Sequence, residues 1–178
     1  MSDVTKFAVL LRGVNVGGRK VSMSELKSVV EKQGFGNVST LLQSGNVILS
    51  SDLPAVKIEP LLEKVIGEKF GYVARVFVYP MKTLQAIVKH YPFGNDPNFQ
   101  HYVIFLKAID PHDLANMPHD RSLEALEPGK GVVYWKVRKG YTIKSTFSKQ
   151  LVKTAYKNRH TVRNINTLNK MIVKSSVN

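Results

Sequence analysis

Between Leu10 and Ser22 the chain reads LLRGVNVGGRKVS, and few folds accommodate that order of residues. The apolar run KFAVLL stops at Arg12, and Gly13, Gly17 and Gly18 follow within six residues. After Arg19 and Lys20 comes Ser22, with Glu25 three residues on, the spacing of a helix-starting capping box. The order is therefore strand, flexible basic loop, helix N-terminus. Glycines let backbone N–H groups approach an anion, and a helix start adds unpaired donors and a partial positive charge. The pattern G-x-x-x-x-G-K-[ST] of a P-loop nonetheless fails, because Arg19 and Lys20 stand where the phosphate lysine and the magnesium-binding hydroxyl belong.

From this start the periodicities predict a chain of alternating elements. Lys6–Leu11 reads as a buried strand. Met23, Leu26, Val29 and Val30 recur at helical spacing, with Gly34 as the stop. Val38–Ser50 reads as two strands about the turn Gln43-Ser44-Gly45-Asn46. Ile58, Leu61, Leu62, Val65, Ile66 and Phe70 form the stripe of a second helix, closed by Gly71, and Ala74–Tyr79 is the next strand. The order β-α-β-β-α-β predicts a ferredoxin-like unit, with two helices on one face of an antiparallel sheet. A short helix carrying Met81, Leu84, Ile87 and Val88 follows.

The second half repeats the theme in pattern. His101–Lys107 reads as a strand, and Asp110–Ala125 as one or two short helices broken at Pro118. Gly131–Arg138 and Tyr141–Lys144 read as a hairpin across Lys139-Gly140. A helix through Phe147, Leu151, Val152, Ala155 and Tyr156 follows, and a last helix from about Asn164 stands where a fourth strand would complete the repeat. The expected fold class is α+β: antiparallel sheets in two tandem ferredoxin-like units, the second modified at its C-terminus. The expected domains are residues 1–91, a Pro- and Asn-rich linker over 92–100, and a basic unit over 101–178.

Three sets of residues together resemble the bacterial family catalogued as domain of unknown function 1697. They are Arg12, Gly13, Asn15, Val16, Gly17 and Gly18; Gln43, Ser44, Gly45 and Asn46; and Thr161, Arg163, Asn164, Thr167 and Lys170. The resemblance spans nearly the whole chain and keeps the order of the motifs. It implies a cytoplasmic bacterial protein of two ferredoxin-like units, and it implies no reaction.

Charge is the other informative quantity. The net charge is +13, and residues 128–178 hold 12 of the 26 Lys and Arg and no Asp or Glu. Such a bias attracts polyanions. The nucleic-acid candidates are Tyr134, Lys136 and Arg138, expected to face outward from a strand whose Val133, Trp135 and Val137 face the core. With them come Lys149, Lys153 and Lys157 at i, i+4 and i+8 on one helical face, then Arg159 and Lys170. The alternative partner is a small phosphate- or carboxylate-bearing metabolite, held by Arg12, Asn15, Gly17, Gly18, Arg19, Gln43, Asn46 and Arg163.

Other chemistry finds no foothold. The chain has no cysteine, so disulfide and thiolate chemistry are excluded. No HExxH, no G-x-S-x-G and no paired carboxylates occur, so no metal site, no cofactor and no catalytic residue is named, and whether the chain is an enzyme stays open. No apolar run reaches membrane-spanning length and no secretory signal opens the chain, so the expected location is the cytoplasm, with no membrane partner.

Overall fold

The computed structural model describes residues 4–15, 20–153 and 155–177. The chain divides into two compact units, one made of Met1–Gln85 with Lys170–Asn178 and the other of Ala86–Asn169.

In the first unit the elements run β1 (Thr5–Arg12), α1 (Met23–Glu31), β2 (Gly36–Leu41), β3 (Asn46–Ser51), α2 (Ala55–Phe70) and β4 (Arg75–Pro80). The sheet order is β2-β3-β1-β4 and every pairing is antiparallel, so the unit is ferredoxin-like as expected. Phe7, Val9 and Leu11 of β1 pack with Val47 and Leu49 of β3, Val76 and Val78 of β4, and the helical stripes Leu26, Val30, Ile58, Leu62 and Ile66. The alternate β1 residues Ala8 and Leu10 are fully buried too, which is why this strand reads as a continuous apolar run.

The helix signals operate as chemistry requires. Ser22 Oγ accepts the Glu25 N–H at 3.4 Å, and Gly71 ends α2 in the left-handed conformation, φ 67°. Glutamates of α2 reach the edge strand: Glu63 Oε1 accepts the Val76 N–H and Glu59 Oε1 the Val78 N–H, each at 3.0 Å. Donors that would invite another strand are thereby occupied. In the β2–β3 turn, Gly45 has φ 70°, and a Cβ there would lie 2.7 Å from Val14 Cγ2 and 2.9 Å from Leu11 Cβ. This turn is closed by the Leu11 N–H donating to the Gly45 carbonyl at 2.8 Å.

After α3 (Met81–Lys89), the second unit runs β5 (Phe99–Leu106), α4 (Pro111–Ala115), β6 (Glu124–Gly129), β7 (Val132–Arg138), α5 (Thr146–Leu151) and β8 (His160–Asn164), before α6 (Ile165–Val177). The sheet order β6-β7-β5-β8 repeats that of the first unit, again antiparallel throughout. No helix among the described residues is long and apolar enough to cross a membrane.

Three expectations are corrected here. The hairpin turns at Lys130-Gly131 and joins β6 to β7, with Gly131 at φ 72°, whereas Tyr141–Lys144 is no strand. β6 carries Glu127 and Pro128, which hide a strand from pattern reading but suit an edge position. A fourth strand does complete the repeat: β8 buries His160, Thr161 and Arg163, so its buried side is polar and gives no apolar alternation. Finally, α5 stops at Leu151 and does not run on to Tyr156. Lys149, Lys153 and Lys157 would place like charges four apart along a longer helix, which is unfavourable. They therefore do not share one helical face.

The last segment of α6 is tied into the first unit by two lysines. Lys6 Nζ donates to the Ser175 carbonyl at 2.7 Å, and Lys174 Nζ to the Thr40 carbonyl at 2.9 Å. In the second unit, Tyr91 Oη contacts His101 Nδ1 at 2.9 Å, and His101 Nε2 contacts the Asp96 carbonyl at 3.0 Å. Burial raises the Tyr91 pKa above its ordinary value of 10.

Two predictions come from these contacts. Gly71→Ala meets open space and only the cost of positive φ, about 1 kcal/mol. Gly45→Ala adds overlap with Val14 and Leu11, for a total of about 3 kcal/mol in urea unfolding. Above pH 10 the unfolded chain loses the Tyr91 proton while the folded chain keeps it, so stability falls as pH rises. Melting temperatures measured between about pH 9 and 11 fall less steeply in Tyr91→Phe than in the parent chain.

Candidate functional site

Two regions carry the side chains singled out in the sequence, one in each unit. In the first unit, Arg12 ends β1, and partial burial lowers its pKa from the ordinary arginine value. Asn15, at φ 55°, donates from Nδ2 to the Gln43 carbonyl at 2.6 Å, and its Oδ1 accepts the Val21 N–H at 2.7 Å. Its amide therefore ties residue 15 to the β2–β3 turn on one side and to Val21, just before α1, on the other. Asn46 is fully buried and donates to the Leu41 carbonyl at 3.0 Å and to Ser44 Oγ at 2.8 Å. These amides perform turn chemistry, holding backbone where strands reverse. Gly17, Gly18 and Arg19 lie outside the described residues.

In the second unit, Arg163 is buried on β8, donating from Nη1 to Thr161 Oγ1 at 2.8 Å and to the Val162 carbonyl at 2.9 Å. Burial brings its pKa down to about 10. Val133, Trp135 and Val137 face the core as expected. Tyr134 does not face outward: it is buried, its hydroxyl donating to the Ile87 carbonyl at 2.9 Å and its ring meeting Tyr91 edge-on at 5.7 Å. A ring so enclosed offers no stacking face. Lys136 is half-buried, with Nζ 4.9 Å from the Phe99 ring centre and 5.4 Å from that of Phe93, so its charge rests on aromatic faces.

Of the remaining candidate cations, Lys170 is exposed on α6 in the part that belongs to the first unit, and the others lie in the crossover from β7 to β8 or just before it. Lys139, Lys144, Lys149, Lys153, Lys157 and Arg159 are all exposed there, and Arg138 is exposed just before them. Arg159 is itself anchored, its guanidinium donating to the Lys107 and Ala155 carbonyls at 3.4 Å, and Lys153 Nζ reaches Gln150 Oε1 at 3.4 Å; other groups fasten the rest of the crossover. Lys139 N–H donates to the Asn98 carbonyl at 3.0 Å, and Thr142 Oγ1 bonds Gln100 Oε1. Ser145 Oγ caps α5 by accepting the Ser148 N–H at 3.1 Å. Buried Glu124 supplies the deepest fastening: Oε2 accepts the Trp135 indole N–H and Oε1 the Phe147 backbone N–H, both at 3.1 Å. Phe147 then packs edge-on against Trp135, ring centres 5.5 Å apart.

The ion pairs found among the described residues, Lys27–Glu31, Lys69–Glu25 and Arg75–Glu63, all lie in the first unit. A cavity of about 480 Å³ opens beside α4 and β6, with Asn116, His119, Arg121 and Glu124 in its lining. Sequence reasoning did not single out Lys139, Tyr141, Ile143 or Lys144: it placed Lys139 in a hairpin turn and Tyr141–Lys144 in a strand. The turn at Gly140, φ 85°, is present, but no strand follows it directly.

The family model described as Protein of unknown function (DUF1697) matches residues 4–134. The chain belongs to this family. Among solved structures, a conserved bacterial protein of Streptococcus pneumoniae, SP0830, is similar to this DUF1697 chain with a TM-score of 0.80. Identity is 22%, over 96% of this chain and 98% of that one, a likeness that shows the fold. None of the curated proteins compared matches at a significant level.

Glu124 is the residue on which the crossover's footing is tested. Glu124→Ala strands two buried donors and lowers stability by about 3 kcal/mol in denaturant unfolding. Glu124→Gln keeps one acceptor and loses less. Because Trp135 is the chain's one tryptophan, its emission reports the same change directly, shifting red in Glu124→Ala.

Proposed function

We propose that this is a cytoplasmic binding protein for nucleic acid, acting through the basic crossover between β7 and β8. One observation carries the reading: exposed cations from Lys139 to Arg159 stand in a segment with no carboxylate of its own. Cations placed this way repel one another, and phosphates relieve the repulsion while condensed counterions are released. Such binding depends steeply on salt and weakly on sequence. Lys149, Lys153, Lys157 and Arg159 supply the charge, with Arg138 at the start of the segment as a further contributor. Lys136 contributes less, because its ammonium already rests on Phe93 and Phe99.

The alternative, a small anionic metabolite at the glycine-rich loop, draws less support. Asn15 and Asn46 have their amides committed to backbone and to Ser44, which leaves Arg12 as its main argument among the described residues.

The test is fluorescence anisotropy with a labelled mixed oligonucleotide pool. About six phosphate contacts on single strands give a log–log salt slope near −4, so affinity falls roughly 10²- to 10³-fold between about 50 and 200 mM salt. Replacing Lys149, Lys153 and Lys157 together by Glu abolishes binding without unfolding the chain, since all three are exposed. Absence of binding at low salt, or binding indifferent to salt, would falsify the reading.

A further inference from the structure

We propose that the nucleic acid bound is single-stranded, and that Tyr141 with Ile143 forms the surface on which its bases stack; the inference rests on the polyanion reading above. Its ground is a coincidence of two surface properties. Among the described residues, the exposed large apolar side chains of the second unit are Tyr141, Ile143 and Val152, and all three lie in the basic crossover. Tyr141 is 40% exposed and Ile143 86% exposed. An apolar group so open to water gains most from a partner with apolar faces, and the surrounding charge selects a partner that also carries phosphate.

The loop is built to display these two side chains. The Tyr141 N–H donates to the Arg138 carbonyl at 3.0 Å, and the Tyr141 carbonyl accepts from Lys144 at 2.9 Å and from Ser145 at 2.8 Å. Thr142, between them, is tied to Gln100. The backbone is therefore fixed by hydrogen bonds at 141, 144 and 145, and the Thr142 side chain adds an anchor, while the ring at 141 and the branches at 143 reach solvent. Arg138, Lys139 and Lys144, all exposed, flank them in sequence. The other aromatic rings of β7 and the crossover are covered: Tyr134 and Trp135 are buried, Phe147 is fully so, and Tyr156 is half-buried against the core cluster.

This arrangement discriminates between forms of nucleic acid. In a duplex the base faces are hidden in the stack, and only phosphates and groove edges meet the protein. In a single strand each base has a free face that an aromatic ring can cover, while neighbouring cations follow the backbone. A bilayer suits the surface less well. α5 has six residues, and its apolar side chains Phe147 and Leu151 are turned into the core, so no apolar helical face is offered to lipid.

The experiment measures the full chain against labelled oligothymidylate and against a hairpin duplex of equal charge, with anionic vesicles of phosphatidylserine and phosphatidylcholine as a third arm. Tyr141→Ala should weaken oligothymidylate binding about tenfold, leave duplex binding and the salt slope unchanged, and leave the melting temperature unchanged. Tyr141→Phe should restore affinity, and Ile143→Ser should lose a few-fold. The inference is overturned by equal loss on both nucleic acids, by no loss at all, or by vesicle binding that depends on Ile143 while oligothymidylate binding does not. Absence of every nucleic-acid interaction at low salt overturns the parent reading as well; retained binding without single-strand preference overturns this inference alone.

Discussion

A single buried carboxylate, that of Glu124, holds together the covered face of the second sheet. It binds the indole of Trp135 on one side and the first turn of α5 on the other. Both donors are buried, so the carboxylate replaces water that neither could otherwise reach. With α5 fixed at its start, Phe147 and Leu151 suffice to close the apolar cluster with Ile104, Leu114 and Val133. In the rest of the crossover, among the described residues, Tyr156 packs half-buried against this cluster, and the lysines stand in water. In the first unit the crossover at this place is a sixteen-residue helix, α2, that buries Ile58, Leu62 and Ile66 and lends Glu59 and Glu63 to the edge strand. The second unit has a six-residue helix there, in a segment with lysines and no carboxylates of its own.

The fates of the cations follow from this difference. Lys6 and Lys174 satisfy backbone carbonyls, Lys136 sits on aromatic rings, and Arg163 is buried among strand oxygens. None of these is available as a bulk attractant. The positive field of the second unit arises from the exposed crossover lysines and arginines, of which Arg159 is also tied to the Lys107 and Ala155 carbonyls. The regular part of the structure thus supplies rigidity, and the irregular part carries the exposed charge, a common arrangement when loops stand on a stable scaffold.

The first unit could be read almost whole from its residues because its signals coincide. Lys6–Leu11 is apolar and stops at a glycine, the α2 stripe is long and ends at Gly71, and Gly45 marks the turn that the packing of Val14 demands. The second unit hides its elements. β6 contains Pro128, the buried positions of β8 are His160, Thr161 and Arg163, and the lysine spacing that suggested one helical face crosses the end of α5. Alternation correctly turned Val133, Trp135 and Val137 inward, but it carries no information about what covers the opposite side, where the Tyr134 hydroxyl meets Ile87. For the candidate site, counting charges located the region. Which side chains stand in water was set by long-range fastening at Asn98, Gln100 and Glu124, beyond the reach of local pattern.

The ties from Lys6 to Ser175 and from Lys174 to Thr40 join positions 169 and 134 residues apart. A ribosome makes β1 and β2 well before α6, so the first sheet waits for a helix that is translated only after the whole second unit. Until α6 emerges, the nascent sheet lacks both ties. Its completion is a contact of very long sequence separation, the kind that slows folding.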